Sequence, residues 1–537
     1  MNADRLLALY ERVADAPDAI ARLRRFVLDL AVRGKLVAQD PADEPASALL
    51  KRIAAEKARL VKAGKVKVRK QRARERSEPL LFALPQGWVL TELGDLSLKI
   101  TDGAHKTPTY VDEGVPFVSV KDFSGGKLDL TKTRFIPEAE HEVLYQRCDP
   151  RRGDILLGRI GTLGKAVLID TDIEFSLFVS VGLIRFDDRN ILPEFFRLLL
   201  NSPFVEQEFD RIKIGGGTHT NKLNLGDLHT VALPLPPLAE QRRIVAKVDE
   251  LMALLDRLEA ARNQREAARD RLTAASLARL TAETDSETAR THARFALDTL
   301  PALTTRPDQI KTLRQTILNL AVRGKLVNGA QGELATVGEY RKLQNGYAFK
   351  SGWFAKSGIR LLRNANIGHG EIRWDEAVYL PEDRVAEFER FQLRKGDIVL
   401  TLDRPFIVTG TKVARITEAD LPSLLLQRVG RFVETTSGLA DEFLFLWINS
   451  PHFNEQIDPG RSNGVPHISS KQVEAAEIYV PPLAEQHRIV AKVDALMAIC
   501  DRLETVLADA DATRQRLLEA LLHEALAPAA PALEAAE

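Results

Sequence analysis

The segment at residues 158–166, GRIGTLGKA, carries glycines, a lysine and a threonine of the kind that a phosphate-binding loop uses. Such a loop follows the pattern G-x-x-x-x-G-K-[ST], in which backbone N–H groups surround the phosphates and the hydroxyl binds Mg²⁺. Here Arg159 stands where the first glycine is required, and Ala166 follows the lysine. The segment therefore does not predict nucleotide binding.

Other catalytic patterns are also missing from the sequence. The ten histidines do not form H-E-x-x-H or a similar metal-ligand spacing. There is no G-x-G-x-x-G after a strand, and no Asn/Asp-Pro-Pro-aromatic tetrapeptide of the kind that amino-methyltransferases use. Asp154 and Asp397 follow glycine in matched RGD and KGD motifs, where a turn leading into a strand explains them. We predict no catalytic residue and no metal ligand in this chain.

Polar loops in the first half suit another chemistry, hydrogen bonding to the phosphates and base edges of a nucleic acid. His105 lies just after an Asp-Gly turn, and a glycine run at 215–217 precedes several short hydrogen-bonding side chains. A plain surface turn or hairpin loop is the alternative for each. The candidates in the first half are His105, Lys106, Thr107, Lys121, Arg159, Thr162, Lys165, Thr218, His219, Thr220, Asn221 and Lys222.

The second half offers a comparable but different set of polar side chains. Asn and Arg are the natural bidentate readers of adenine and guanine in the major groove. TLDRPFIVTG stands where the first half has GRIGTLG, so the correspondence between individual residues is loose. The candidates in the second half are Asn345, Lys350, Arg363, Asn364, Asn366, Arg404, Arg461, Ser462, Asn463 and His467.

An internal repeat defines the elements that must position these loops. PPLAEQRRIVAKVDELMALLDRLE, from Pro236, returns as PPLAEQHRIVAKVDALMAICDRLE from Pro481. LAVRGKLV occurs before each half, and RRGDILL from Arg151 parallels RKGDIVL from Arg394. Roughly 46 residues of the first copy, near 40–85, have no counterpart in the second, and a period of this length indicates a domain duplication.

Each half is predicted to be an α-helical frame around a mixed α/β insert, which gives an α+β fold with a pseudo-two-fold internal repeat. The helix that begins each frame is predicted to end near Gly34 in the first half and near Gly324 in the second, because glycine permits a left-handed C-cap. Short β-rich runs separated by Gly and Pro fill the inserts. The predicted divisions are an N-terminal helical region with a basic segment (1–84), a first insert (85–235), a central helical region with a long spacer helix (236–334), a second insert (335–480), and a C-terminal spacer helix with an acidic Ala/Pro tail (481–537).

The helix after each PPLAEQ motif carries an apolar seam with heptad spacing, so we expect the two helices to pack together. Polar residues off this seam are repeated as well. A recent duplication, or shared capping and ion-pair needs, would explain them; the alternative is that each helix presents the same surface to the same partner. The seam residues are Ile244, Val248, Leu251, Leu255 and Leu258, then Ile489, Val493, Leu496, Cys500 and Leu503. The partner-binding candidates are Glu240, Gln241, Arg243, Lys247 and Asp249, matched by Glu485, Gln486, Arg488, Lys492 and Asp494.

Composition sets only broad limits. Lys+Arg and Asp+Glu are both 75, so the overall charge does not favour nucleic-acid binding. Between Lys51 and Arg76 twelve Lys/Arg stand against two Glu, which fits either a solvated helix running into a basic linker or a phosphate-binding arm. Two distant cysteines, no apolar run of about 18 residues and no signal-peptide pattern lead us to expect a cytoplasmic protein without membrane contact.

These features resemble the specificity subunits of type I restriction–modification systems. The resemblance is carried by LAVRGKLV before each insert, TDGAHKTPTYVDEGVPF early in the first insert, GGGTHTNKLNLGDL near its end, and PPLAEQ before each long helix. It covers nearly the whole chain, and the duplicated order of the motifs is its most specific feature. It implies a non-catalytic subunit of a larger enzyme complex.

The resemblance also implies the roles of the parts. The two inserts would be target recognition domains, each binding one half of an asymmetric bipartite site in double-stranded DNA. The long helices would form an antiparallel coiled coil that fixes the gap and docks two modification subunits, with the N-terminal LAVRGKLV segment near the C-terminal helix. This chain would bind no cofactor: S-adenosylmethionine would act on the modification subunits, and two restriction subunits would use ATP and Mg for cleavage.

Two other classes of function stay open from the sequence. One is a self-contained methyltransferase or nuclease, which should carry cofactor-binding and catalytic motifs that are not found. The other is a coiled-coil adaptor whose inserts bind protein instead of DNA.

Overall fold

A computed structural model describes residues 15–16, 18–66, 82–216, 221–281, 288, 291–292, 295, 304–327, 332–462 and 465–526. The chain divides into two compact units: unit 1 holds Met1–Gln264 and Asp511–Glu537, and unit 2 holds Arg265–Ala510. Each unit contains one α/β insert together with part of each of two long helices. The predicted α+β class with an internal repeat is confirmed.

Helices build the frame of both units and support the strands of both inserts. None of the helices in the described residues has an apolar run long enough to cross a membrane. In chain order the helices are α1 Ala19–Val32, α2 Ala46–Lys62, α3 Leu93–Leu96, α4 Glu138–Arg147, α5 Pro193–Leu200, α6 Pro203–Ile212, α7 Leu225–Leu228, α8 Leu238–Thr281, α9 Pro307–Val322, α10 Val337–Tyr340, α11 Asp441–Ile448, α12 Pro451–Gln456, α13 Ser470–Ala475 and α14 Leu483–Leu526. Short 3₁₀ turns cover Val120–Phe123, Ser351–Trp353, Asn364–Asn366 and Glu418–Asp420, and a longer 3₁₀ segment with a kink at Phe388 covers Glu382–Phe391.

The strands lie in the two inserts. Those of the first are β1 Val89–Glu92, β2 Ser97–Asp102, β3 Val115–Val118, β4 Arg134–Ile136, β5 Ile155–Gly158, β6 Ala166–Leu168, β7 Ser176–Leu177, β8 Val181–Phe186 and β9 Ala232–Leu235. Those of the second are β10 Glu333–Thr336, β11 Arg341–Asn345, β12 Ile359–Leu362, β13 Val378–Leu380, β14 Ile398–Thr401, β15 Phe406–Ile407, β16 Gly410–Thr411, β17 Val413–Arg415, β18 Ser423–Leu425, β19 Val429–Glu434, β20 Gly460–Ser462, β21 Val465–His467 and β22 Glu477–Val480.

Both inserts share one sheet topology. A four-stranded sheet has the order β2-β8-β5-β6 in the first insert and β11-β19-β14-β17 in the second. A three-stranded sheet has the order β4-β3-β7 in the first and β13-β12-β18 in the second. The strands after the RGD and KGD turns, β5 and β14, are buried at every position, as their short apolar runs at 155–157 and 398–400 indicate.

A two-stranded antiparallel sheet closes each insert where the chain enters and leaves it. In the first insert Val89 pairs with Leu235, and in the second Glu333 pairs with Val480. The ends of each insert are therefore neighbours, and the frame continues directly from them into α8 or α14.

The frame helices α1 and α9 end in the same way, as the LAVRGKLV motif predicts. Gly34 and Gly324 have φ of 65° and 68°, a left-handed conformation that glycine adopts without a Cβ clash. The next residue, Lys35 or Lys325, donates its backbone N–H to Leu30 O or Leu320 O at 2.9 Å. These bonds are those of a Schellman motif, so the predicted glycine C-cap is confirmed in both copies.

One ion-pair pattern joins each frame helix to a long helix. In unit 1, Arg24 of α1 contacts Asp256 and Glu259 of α8 at 2.5 and 2.8 Å. In unit 2, Arg314 of α9 contacts the equivalent residues of α14, Asp501 and Glu504, at 2.7 and 2.9 Å. The repetition of these acidic residues thus has a cause inside the subunit.

The C-terminal helix completes the frame of unit 1. Leu518 and Leu521 of α14 belong to the same buried core as Leu23 of α1 and Ile244 of α8. Lys35 Nζ also donates to Leu526 O at 2.7 Å. The expected proximity of the N-terminal LAVRGKLV segment to the C-terminal helix is therefore confirmed.

The two long helices contribute to the units in opposite order. Unit 1 holds the start of α8 and the end of α14, and unit 2 holds the end of α8 and the start of α14. This order is that of an antiparallel helix pair. On the predicted seams, Ile244, Val248 and Leu255 are buried in unit 1, and Ile489, Val493 and Cys500 are buried in unit 2.

A buried glutamine joins each insert to the start of its long helix; we call this contact the glutamine clamp. Gln241 Nε2 donates to Pro236 O at 3.1 Å, and its Oε1 accepts from Leu192 N, just before α5, at 3.4 Å. Gln486 Nε2 donates at 2.7 Å both to Pro481 O and to Gly438 O, and its Oε1 accepts from Ala440 N, just before α11, at 2.8 Å. Both glutamines are 0% exposed.

Replacing Gln486 with alanine should destabilise the start of α11. The N–H of Ala440 and the carbonyl of Gly438 would lose their partner inside the protein, and each buried unpaired group costs about 1–3 kcal/mol. Hydrogen exchange should therefore show lower protection in the first turn of α11. His487→Ala is the control, since His487 is the exposed neighbour on the same turn. Equal exchange in the two variants would contradict the clamp.

Candidate nucleic-acid interface

Loops that follow β2, β3, β5 and β7 meet at one edge of the first insert. β2 and β5 both pair antiparallel with β8, so their carboxyl ends lie where β8 begins. β3 and β7 pair in parallel, and just beyond them Phe178 N donates to Val118 O at 2.9 Å. Ala104 N donates to Leu177 O at 2.7 Å, which joins the loop after β2 to the end of β7. This edge gathers the candidate loops that the sequence leaves far apart.

Backbone hydrogen bonds build what we call the framework corner at this edge. In unit 1 it consists of residues 159–161, 180 and 221–223. Its bonds run from Arg159 N to Ser180 O at 3.0 Å, from Leu223 N to Arg159 O at 2.8 Å, and from Gly161 N to Asn221 O at 3.2 Å. Because these bonds use only backbone groups, they leave the side chains of the corner free to vary.

Arg159 turns into the protein at this corner. Its side chain is 8% exposed, and its Nη1 lies 2.7 Å from Oδ2 of Asp102, whose side chain is 1% exposed. Arg159 also donates to the carbonyls of Val179 and Leu223 at 2.8 and 3.1 Å. Burial lowers the pKa of Arg159, and the Asp102 carboxylate opposes that shift. The geometry gives Arg159 a positioning role inside the corner.

The same buried carboxylate anchors two exposed side chains. Arg147 of α4 donates to Oδ1 of Asp102, and His105 Nε2 lies 3.1 Å from Oδ2. Both partners are more than half exposed, so a guanidinium and an imidazole face solvent at the loop 105–107. Sequence reasoning missed Asp102 and Arg147. The position of Asp102 at the end of an alternating strand was the available signal for the first of them, and Arg147 had none.

The other candidates of the first insert lie on this edge or beyond the described residues. Gly158 N donates to Lys165 O at 2.9 Å, and Lys222 pairs with Ile160 and Ile214 through backbone bridges. Exposed side chains are those of Lys106, Thr107, Lys121, Thr162 and Lys222, and half-buried ones are those of Lys165 and Asn221. Thr218, His219 and Thr220 lie outside the described residues.

The second insert builds the equivalent corner from residues 402–404, 428 and 466–468. Its backbone bonds run from Leu402 N to Arg428 O at 2.9 Å, from Ile468 N to Leu402 O at 2.9 Å, and from Arg404 N to Pro466 O at 2.8 Å. β11 and β14 both pair antiparallel with β19, as β2 and β5 do with β8. Residue by residue, Arg159 corresponds to Leu402, and Asp102 at the end of β2 corresponds to Asn345 at the end of β11.

Candidates of the second insert divide into internal and exposed groups. Asn366 is buried, accepting from Arg363 N at 3.1 Å and donating to Arg373 O at 2.8 Å, so its role is to cap a 3₁₀ turn. Arg363 donates to Glu376 O. His467 Nδ1 lies 2.7 Å from Asp403 Oδ1.

The remaining candidates of the second insert lie nearer the surface. Asn345 and Arg404 are exposed, as is Lys350, which lies over the Trp353 ring at 5.6 Å. The carbonyl of Asn364 accepts from Lys412 Nζ at 2.5 Å. Arg461 and Ser462 lie on β20, and Asn463 lies outside the described residues.

The repeated polar residues of the long helices fall into a group with partners inside the subunit and an exposed group. Glu240 is buried and accepts from Trp88 Nε1 at 2.9 Å and from Gln39 Nε2 at 3.0 Å, and the two glutamines form the clamps described above. Arg243 pairs with Asp43 at 2.6 Å, while Glu485 pairs with Arg488. The exposed members are Asp249, Arg488, Lys492 and Asp494, and Lys247 is half-buried beside Glu250.

Groups that could supply catalysis are not assembled at the corner. Cys148 lies near it, but burial raises the pKa of its thiol to about 12, so the thiol stays protonated at neutral pH. Among the residues that the structure describes, no cluster of three or more His, Cys, Asp or Glu is arranged to hold a metal ion. The arrangement suits binding through hydrogen bonds and positive charge.

The ion pair between Asp102 and Arg159 can be tested against the second insert, which has Asn345 and Leu402 at these positions. Arg159→Leu alone should destabilise the first insert by about 1–3 kcal/mol, because the buried Asp102 carboxylate loses its buried partner and keeps only the exposed Arg147 and His105. Asp102→Asn combined with Arg159→Leu should recover most of that loss. Urea unfolding followed by hydrogen exchange in β2, β5 and β8 measures both. A double variant as unstable as the single one would contradict the pairing.

Comparisons with known proteins identify the family of this chain. The family model of the type I restriction modification DNA specificity domain matches residues 85–265 and 335–509. The chain is similar to the type I restriction enzyme EcoAI specificity subunit of Escherichia coli, with 34% identity over 568 residues that cover 94% of each protein. It is also similar to the EcoEI specificity subunit of Escherichia coli, with 27% identity over 578 residues and the same coverage of each. A crystal structure of the HsdS subunit from Thermoanaerobacter tengcongensis is 22% identical, covers 83% of this chain and 98% of that one, and has a TM-score of 0.44.

The family matches include both inserts and extend into both long helices. The chain matches 94% of the length of each of these two relatives, and both are named as specificity subunits. This confirms the predicted non-catalytic subunit and not the alternative of a self-contained enzyme. The chain belongs to the type I restriction–modification specificity subunits.

Proposed function

We propose that each insert reads one half of an asymmetric bipartite site in double-stranded DNA, while the two long helices fix the gap and dock two modification subunits. The observation that carries this proposal is the pair of framework corners. They share their backbone hydrogen bonds and differ in their side chains. A common backbone with exchanged polar groups suits two readers of different sequences on one scaffold.

The placement of charge supports nucleic acid as the ligand of the inserts. In the first insert, Arg147 and His105 face solvent from a buried anchor, and Lys106, Lys121 and Lys222 are exposed on the same edge. Contacts from such residues to phosphates position a protein on DNA, and shorter polar side chains among them can reach base edges. Thr107 and Thr162 supply such groups here.

Docking of the modification subunits is proposed for the exposed part of the repeated helix surface. Asp249 and its repeat partner Asp494 keep this role, as do Lys492, its half-buried repeat partner Lys247, and Arg488. Glu240, Gln241 and Gln486 are buried, so their repetition follows from the attachment of the inserts. S-adenosylmethionine would act on the modification subunits, and ATP with Mg on two restriction subunits.

Duplicating one insert tests the assignment of the half-sites. Residues 333–480 are replaced by a second copy of residues 89–235. This exchange keeps the junctions equivalent, because the pair β1 and β9 closes the first insert in the same way as the pair β10 and β22 closes the second. The complex with the modification subunits should then methylate a site containing the first half-site twice. Single-molecule sequencing of methylated DNA reports the sequence. The control rebuilds the original insert with the same junctions. An unchanged methylated sequence would show that the inserts do not select it.

Lengthening both helices tests the ruler. One heptad inserted after Gln264 and another after Ala510 keeps the seam in phase and adds about 10 Å at 1.5 Å per residue. The unspecified gap should grow by about three base pairs, given an axial spacing of about 3.4 Å along each strand. The same methylation sequencing measures the gap. In the control the same heptad sequences replace seven native residues of each helix at these positions. The helix length is then unchanged, so the gap should also be unchanged. If the lengthened variant methylates only sites with the original spacing, the long helices do not fix the gap.

A further inference from the structure

Two arginines of the second insert have an unusual backbone conformation. Among the described residues, the non-glycine positions with positive φ are Asp18, Arg404 and Arg428, at 57°, 49° and 73°. An L-residue pays roughly 1–2 kcal/mol for this left-handed conformation. Such strain persists only where the surroundings enforce it, and it concentrates at ligand clamps and other functional positions.

Both arginines belong to the framework corner, where the first insert has other residues. The bond from Leu402 N to Arg428 O matches the bond from Arg159 N to Ser180 O. The bond from Arg404 N to Pro466 O matches that from Gly161 N to Asn221 O. Gly161 has φ of 79°, which a glycine adopts freely. The corner backbone thus demands a left-handed residue at this position, and the second insert supplies an arginine.

Asp403 and His467 hold the side chain of Arg428. Arg428 Nε lies 3.8 Å from Asp403 Oδ2, and its Nη1 lies 3.4 Å from His467 Nε2. His467 Nδ1 lies 2.7 Å from Asp403 Oδ1; a proton on Nδ1 donates there and leaves Nε2 to accept from Arg428. The guanidinium is therefore oriented on one side, yet the residue is exposed.

Arg404 stands beside this group without a comparable support. It is exposed, and it is close enough to Lys412 that burial and Arg404 together lower the pKa of that lysine. The two inserts therefore differ in where the corner arginine points. In the first insert Arg159 is neutralised inside by Asp102, whereas in the second the arginines are on the outside.

We propose that Arg428 is a specificity-determining residue that reads a guanine of the second half-site, and that Arg404 contacts an adjacent DNA phosphate. This inference rests on the proposed reading of a half-site by the second insert. A guanidinium offers a planar fork that matches O6 and N7 of guanine in the major groove. Asp403 and His467 contact the Arg428 guanidinium on one side, which limits the orientations of that fork. Arg404 lacks such a support and acts as a point charge.

The test uses the complex of this chain with its modification subunits and sequencing of methylated DNA. Arg428→Ala should relax the requirement for guanine at one position of the second half-site by about 10- to 100-fold and leave the first half-site unchanged. Arg428→Lys should not restore it, because an ammonium lacks the fork. Arg404→Ala should weaken methylation of all sequences alike, and Arg404→Lys should restore it. Lys395→Ala is the control, since this exposed residue precedes β14 at the opposite end of the strand.

Loss of folding is separated from loss of reading by Arg428→Gly. Glycine relieves the left-handed strain, so the melting temperature should not fall while guanine discrimination is still lost. A lower melting temperature together with lost discrimination would assign Arg428 to the fold and overturn the proposal. Unchanged base preference in the alanine variant would also overturn it. If the insert duplication still changes the methylated sequence, the proposed function survives that result; if the duplication changes nothing either, the proposed function fails as well.

Discussion

The buried glutamine at the start of each long helix is the contact on which the arrangement of this subunit depends. An amide removed from water must satisfy both its donor and its acceptor, and here it does so with backbone groups from two separate parts of the chain. Gln486 bonds to Pro481 at the end of the insert and to Gly438 and Ala440 beside α11. The insert and the helix are thereby held at a fixed angle within each unit. Any recognition surface on the insert is therefore held at the same fixed angle to the long helix.

The framework corner separates architecture from recognition. Its bonds connect N–H and carbonyl groups, so the same geometry forms with Arg159 or Leu402 at the centre and with Ser180 or Arg428 beside it. Side chains can then change without loss of the fold, provided that each buried charge keeps a partner. Asp102 with Arg159 satisfies that condition in the first insert, and the neutral pair Asn345 and Leu402 removes the need for it in the second. A duplicated protein can in this way acquire two different surfaces.

Repetition of polar residues in a duplicated chain has more than one cause. Asp256 and Asp501 recur because each pairs with an arginine of a frame helix. The glutamines recur because each clamps an insert. A shared partner remains the explanation only for the repeated polar residues that are exposed, such as Lys492 and Asp494. Burial is therefore what decides between an internal cause and an external one.

The sequence by itself determined the duplication, the α/β inserts within a helical frame, the glycine C-caps and the apolar seams. These features depend on local propensity and on periodicity, which a single chain displays directly. It also located the polar loops that meet at the edge of each insert. Only the tertiary structure decided which of those side chains face outward. Arg159 looks like a surface group in sequence, but its partner Asp102 comes from a distant part of the chain. Asn366 is also buried, although its partners Arg363 and Arg373 lie close to it in sequence. Arg428 attracted no attention in sequence, because its significance lies in a backbone angle and in a pairing with Asp403 and His467, which are distant along the chain.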